Sequence, residues 1–214
     1  TAIIMGLILK QPDFGTAVII AIIMISMLFL SGARIRYLLG LLALLLPVGV
    51  LLVMRSGYRL VRFMAMLNPW NDPLGKGFQI IQSFISFGSG GAFGVGIGDG
   101  MQKLYYLPEP HTDFILSVIA EEGGFIAVAI IISLFVVIIF RGFMIAFKAP
   151  DLFGTLLASG LTMTIAIEAV VNIAGVMGLI PVKGLALPFV SYGGSSVVMS
   201  LAAVGMLMNI SSYR

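Results

Sequence analysis

The sequence predicts an all-α, polytopic transmembrane helix bundle, and two observations carry that prediction. Mean hydropathy is +1.14 with 60% hydrophobic and 10% charged residues, so lipid rather than water must cover most of the apolar surface. Apolar runs also recur at lengths near the roughly 18–20 residues that cross about 30 Å of hydrocarbon as a helix. Charge is confined to short stretches between those runs, the longest lying at residues 55–113.

Residues 14–30 form the first run and 37–54 the second. Residues 125–140 are the apolar heart of a third, and 152–179 and 189–210 supply two more. Residues 1–9 are too short to cross and lack a start methionine, so they read as the tail of a truncated helix. The expectation is one membrane domain over 1–214, with about five full spans plus a partial one.

The chain has no Cys, which excludes disulfide scaffolds and thiolate metal sites. A net charge of +3, with Lys and Arg scattered at span ends, speaks for membrane topology rather than nucleic-acid binding. Arg34 and Arg36 share one short loop, Arg141 and Lys148 another, and Arg214 ends the chain. These alternate with the connections bearing Lys10 and Lys183. The positive-inside rule therefore puts Arg34, Arg141 and Arg214 in the cytoplasm and residues 55–113 outside.

In that outer segment Arg55, Arg59 and Arg62 recur on one helical face, which predicts that the second span continues past Met54. Asn68-Pro69-Trp70-Asn71-Asp72-Pro73 should stop it, with Asp72 as N-cap and Pro73 at the first position of the next helix. Leu74, Phe78, Ile81 and Ile85 then suit a short helix in the membrane interface. Gly88 to Gly100 holds seven glycines in thirteen residues. It matches neither G-x-G-x-x-G nor the Walker pattern, so a flexible loop with close backbone approach is expected.

The densest chemistry is Tyr106-Leu107-Pro108-Glu109-Pro110-His111-Thr112-Asp113-Phe114, with two acids and the one histidine just before a span. Thr112 should cap the following helix and place Asp113 in its first turn, near the positive end of the dipole. Asp113 is then either a helix-start acid or a general base for a substrate hydroxyl. The dipole weakens a carboxylate base, so the second role needs partial desolvation to raise the pKa again. Glu109 and His111 flank it. One His without Cys leaves no zinc set, but oxygens of Asp113, Glu109 or Asp99 would suit Mg²⁺ or Mn²⁺ beside a diphosphate.

Further along, Glu121 and Glu122 read as interfacial capping acids or as site residues. Glu168 falls mid-span, where an ionisable group is a functional candidate by default, although a hydrogen bond to Asn172 one turn on would satisfy it. Residues 181–196, PVKGLALPFVSYGGSS, form a re-entrant non-helical mouth, allowed at membrane depth only where protein or water covers the backbone. Lys183 would there be a mobile cation suited to phosphate, or a snorkelling anchor.

Several of these segments together resemble the SEDS family (shape, elongation, division and sporulation), the polytopic peptidoglycan polymerases. Gln11-Pro12-Asp13-Phe14-Gly15-Thr16 is similar to the family's QPDxGT, and Val190-Ser191-Tyr192-Gly193-Gly194-Ser195 to its C-terminal signature. Asn68-Pro69-Trp70, Gly77-Phe78-Gln79 and Pro108-Glu109-Pro110-His111-Thr112-Asp113-Phe114 resemble the large outer loop. Pro181-Val182-Lys183-Gly184 and the surroundings of Asn68-Pro69-Trp70 look closer to the division branch typified by FtsW than to the elongation branch typified by RodA. Family members usually have about ten spans, so roughly the first four would be missing from this chain.

The resemblance implies polymerisation of lipid II at the outer face of the bacterial cytoplasmic membrane, at the division septum. It implies Asp113 as the essential acid. Lys183, His111, Glu109, Arg55, Arg59, Ser191 and Glu168 would contact substrate, although glutamine is expected at 168. A divalent cation, Mg or Mn, would fit such chemistry. The implied partners are a class B penicillin-binding protein, other division proteins and membrane lipids. From the residues alone, a lipid-linked oligosaccharide flippase and a non-catalytic septal scaffold are the alternatives.

Overall fold

The computed structural model describes residues 6–8, 13–102 and 109–212. Lys10, Arg214, Gln11-Pro12, Tyr106-Leu107-Pro108 and most of residues 1–9 lie outside the described residues. The all-α, polytopic transmembrane expectation holds, with no strand among the described residues. Among the described residues, and beside a helical stretch at 6–8, these α-helices follow one another: α1 Phe14–Leu30, α2 Ile35–Met54, α3 Gly57–Leu67, α4 Phe78–Gly90, α5 Ile115–Phe147, α6 Leu152–Val176 and α7 Gly194–Ser212. A 3₁₀ turn at Pro69–Asn71 separates α3 from α4.

Helices α2, α5, α6 and α7 are long and apolar enough to cross a membrane. The apolar α1 has 17 residues, about 25 Å at 1.5 Å per residue. The core lies where α5, α6 and α7 meet, around Phe114, Leu116, Phe135, Ile165, Val176 and Ala203. Only Leu38 of α2 is buried, so that helix presents most of its surface outward, where lipid is the matching solvent.

Three local expectations are corrected. The second span does not run on through the arginines: backbone N–H groups of Arg55 and Ser56 close the last turn on Leu51 and Val53, and α3 starts afresh after an extended Ser56. Asp72 does not start a helix at Pro73. Its Oδ2 accepts the Lys76 N–H at 2.9 Å, which folds residues 72–77 into a turn, and α4 waits until Phe78. Nor is that second helix the interfacial one, because α4 buries Ile80, Ile81, Ser83 and Ser86. Ser83 Oγ is hydrogen-bonded to Ser117 of α5 at 2.8 Å and donates to the Val176 carbonyl at 2.6 Å. It is α3, with no buried residue and opposed apolar and basic faces, that has the character of an interfacial helix.

The glycine-rich segment makes the close approach expected of it. Helix α5 is interrupted at Gly124, whose φ of 67° and ψ of −167° are open to glycine at little cost. The freed carbonyls of Glu121 and Glu122 accept N–H groups of Val95 and Gly96 at 2.9 and 3.1 Å. N–H groups of Phe125 and Ile126 return the exchange to Gly91 and Ala92. Glu121, 4% exposed, accepts the backbone N–H groups of Met101 and Gln102. It caps the loop, as its capping reading expects.

Candidate active site

Asp113 stands just before α5, in a turn of the backbone rather than in the helix. Thr112 does not cap: its hydroxyl donates to Glu109 Oε2 at 3.1 Å and to the Glu109 carbonyl at 3.3 Å. Glu109 itself takes a left-handed φ of 52°, so the chain doubles back and Phe114 becomes the cap residue, without a side-chain capping bond. Phe114 is 1% exposed, and its ring pins the end of the turn into the core.

Three successive carbonyls of this turn are then held from across the fold. Tyr192 N–H donates to His111 O at 2.8 Å, Ser191 Oγ to Thr112 O at 2.6 Å, and Asn172 Nδ2 to Asp113 O at 2.9 Å. Ser191 Oγ also accepts the Leu187 N–H at 2.7 Å, and Asn172 Nδ2 also donates to Leu185 O at 2.6 Å. The turn and the irregular 181–193 segment are therefore one hydrogen-bonded polar unit. The predicted non-helical mouth is present, with Leu187 and Pro188 buried.

The Asp113 carboxylate lies against Gly184, where an added Cβ would sit 2.9 Å from Oδ2. Burial pushes the Asp113 carboxyl above its ordinary pKa, and the charge of Glu109 adds to the effect. The desolvation that a general base needs is thus in place. Among the described residues no three His, Asp or Glu side chains converge as a metal set. A Mg²⁺ beside a diphosphate needs only one or two carboxylates, and Asp113 and Glu109 stand close enough for the charge of one to act on the other.

Lys183 adjoins Gly184 but turns to the other motif. Its ammonium donates to Thr16 Oγ1 at 2.7 Å and lies 3.7 Å from Asp13 Oδ1. Its methylene stem crosses Gly15, where any Cβ would collide with Cδ. It is thus a seated cation rather than the free, mobile one expected, and among the described residues it pairs with Asp13 and not with Asp113. Burial lowers the Lys183 pKa against the opposing charges of Asp13 and Glu168. Burial alone would raise Asp13, but two hydrogen bonds from Thr16, with the charge of Lys183, leave its carboxyl below the usual value.

The remaining candidates divide. Glu168, half-buried on α6, lies within electrostatic reach of Lys183, while Asn172 turns its amide to the mouth instead of bonding it. Arg59 packs over the Phe14 ring at 5.2 Å and donates to Leu52 O, next to the Asp13–Lys183 pair. Arg55 is exposed and joins none of these contacts. Glu109 and His111 are exposed at the rim. Sequence reasoning gave Asn172 no site role, and read Arg62, with Arg55 and Arg59, as either a phosphate-suited cation or a snorkelling anchor. A polar amide in an apolar helix was the available signal for the first.

Over residues 1–214 the chain matches the FtsW/RodA/SpoVE family model, described as "Cell cycle protein". It is 57% identical over 210 residues to the probable peptidoglycan glycosyltransferase FtsW of Trichlorobacter lovleyi, covering 98% of this chain and 55% of that protein. It is 51% identical over 209 residues to stage V sporulation protein E of Bacillus subtilis, covering 97% and 57%. Among solved structures it is similar to a chain from a peptidoglycan synthase complex, described as coordinating polymerisation and crosslinking. That match has TM-score 0.78 and 35% identity, over 99% of this chain and 59% of the other. A mutant of the rod shape determining protein RodA of Thermus thermophilus superposes with TM-score 0.63 and 30% identity, over 99% and 54%. The chain spans a little over half the length of these relatives.

Proposed function

Because the chain belongs to the FtsW/RodA/SpoVE family of cell cycle proteins, we propose that it carries the catalytic end of a peptidoglycan glycosyltransferase that polymerises lipid II. The observation that carries this reading is Asp113: a half-buried carboxyl of raised pKa, fixed by the bonds to three successive carbonyls. A hydroxyl of one lipid-linked disaccharide loses its proton to Asp113 as its oxygen bonds to the anomeric carbon of another. The bond from that carbon to the diphosphate breaks, and undecaprenyl diphosphate leaves with the electron pair. Burial makes the carboxylate a stronger base than it would be in water. Lys183, seated beside Asp13, supplies fixed positive charge for the departing diphosphate.

Septal location and a class B penicillin-binding protein as crosslinking partner belong to the same proposal. The solved relative in a synthase complex supports the partner. Residues 55–113 face outward in this reading, where lipid II is presented. The test is Asp113→Asn in the full-length protein with its partner. The amide keeps the shape but takes no proton, so glycan synthesis is expected to stop while folding and membrane insertion persist. Near-normal synthesis would end the general-base assignment.

A flippase reading draws on Glu168, a half-buried acid within a span. A proton-coupled carrier needs it to titrate, whereas a polymerase needs only its polar contact. Glu168→Gln protein that polymerises lipid II in liposomes without a pH gradient decides for the polymerase.

A further inference from the structure

We propose that the cleft between α3, the 72–77 turn and α4 binds the phosphate group of an amphiphilic lipid. The cleft has a volume of about 270 Å³ and is lined in part by Tyr58, Arg62, Leu74, Lys76, Gln79 and Val182. That is just below the ~300–1,000 Å³ of pockets that enclose whole drug-sized ligands, so a head group fits and a lipid tail must lie outside.

Two cations converge here. The Arg62 guanidinium lies 4.5 Å from the centre of the Tyr58 ring and the Lys76 ammonium 5.7 Å from it. Neither ion-pairs with a carboxylate among the described residues. Asp72, the nearest acid in sequence, is turned into its own loop, accepting the Lys76 backbone N–H at 2.9 Å. Both side chains line the one cleft, and a guanidinium and an ammonium each match phosphate oxygens. Gln79 adds an amide to the lining.

Apolar surface meets the same cleft. Leu74 is 89% exposed at its edge, and α3 presents Leu60, Val61, Phe63 and Met64 uncovered. A phosphate joined to a hydrocarbon chain satisfies both surfaces, and inorganic phosphate satisfies one. Arg62 also donates to the Val182 carbonyl at 3.4 Å, one residue before Lys183, so an occupant of the cleft would touch the wall of the mouth. The phosphate can come from a bilayer phospholipid or from a polyprenyl diphosphate, and the chemistry of recognition is shared.

The experiment is calorimetric titration of the purified full-length protein in neutral detergent with farnesyl diphosphate, farnesol and short-chain phosphatidylglycerol. At least one phosphate probe is expected to bind, and farnesol is not. Arg62→Gln/Lys76→Gln should weaken binding about tenfold or more, through loss of two charge-assisted contacts. Each single variant should give part of that loss. Arg34→Gln/Arg36→Gln, which removes equal charge from another loop, should leave binding unchanged. Loss for farnesyl diphosphate alone assigns the site to a diphosphate, loss for phosphatidylglycerol alone to a bilayer lipid, and loss for both to the shared group. Equal affinity in parent and double variant, tight binding of farnesol, or no binding of either phosphate probe by the parent overturns the proposal. Binding needs no turnover. The titration is read without glycan synthesis, so failure of the polymerase reading and failure of this one are separately visible.

Discussion

Asn172 reaches from the last turns of α6 to the carbonyl of Asp113, 59 positions earlier, at 2.9 Å, and the same nitrogen reaches Leu185 O at 2.6 Å. A single buried amide thus fixes both the main chain beneath the candidate base and the wall of the mouth beside it. Both bonds use the amide only as a donor, which makes its chemistry testable by an isosteric change.

Asn172→Asp keeps the shape but turns acceptor oxygens on two carbonyls, and Asn172→Leu leaves those carbonyls unpaired at roughly 1–3 kcal/mol. Both variants should melt lower than the parent, with Asp the worse. Lipid II polymerisation should lose kcat with little change in KM, because Asp113 is misplaced rather than substrate unbound. A pure KM effect in both would show that Asn172 touches substrate instead.

Ser191 was expected to contact substrate, yet its one O–H is donated to Thr112 O and its oxygen accepts the Leu187 N–H. Ser191→Ala should therefore lower the melting temperature along with activity, by about 1–3 kcal/mol for a buried donor and acceptor left unpaired. An unchanged melting temperature with raised KM would return it to the substrate-contact role.

Gly15 and Gly40 offer a controlled comparison. A methyl at Gly15 collides with the Lys183 stem, while a methyl at Gly40 meets nothing within 4 Å. Gly15→Ala should cost polymerisation nearly as much as Lys183→Met, and Gly40→Ala should be silent. Equal, small effects of both would mean that Lys183 need not lie where it does.

The pH dependence has a defined sign. Asp113 has a raised pKa, chiefly from burial and secondly from the Glu109 charge, and the proposed general-base role requires its carboxylate, so polymerisation is expected to rise with pH through that pKa. Glu109→Gln removes the smaller cause and should move the acid limb of the rate profile modestly to lower pH. A shift to higher pH would contradict the placement of the two acids.

Topology can be checked directly because the chain has no native Cys. Ser89, exposed at the end of α4, should react as Ser89→Cys with an impermeant reagent in intact spheroplasts. Reaction only after permeabilisation would reverse the outward assignment of residues 55–113.

Much of this was legible because burial in lipid leaves a coarse pattern: long apolar runs placed α1, α2, α6 and α7 to within a few residues, apart from the ends around Gly178 and Phe189. They found only the middle of α5, which runs from Ile115 to Phe147. Positive φ at Gly178 and Phe189 is a tertiary choice. Illegible features were those set by distant partners. Thr16 and Lys183 are 167 positions apart, so no periodicity could pair them, and Thr112 looked like a cap until Glu109 captured its hydroxyl. The break after Met54 also escaped, since the arginine spacing continues across it while Ser56 alone leaves the helix.

The interruption at Gly124 sets the elevation of the chemistry. With 33 residues α5 would run about 50 Å unbroken, far beyond the hydrocarbon. Residues 125–147 suffice to cross, about 34 Å, which leaves 115–123 as a riser fastened sideways to the glycine loop. Asp113 thus stands on a fixed step whose height and azimuth are counted in residues. One residue inserted into that riser would lift the carboxylate about 1.5 Å and swing it about 100°, away from Gly184 and the mouth it now faces.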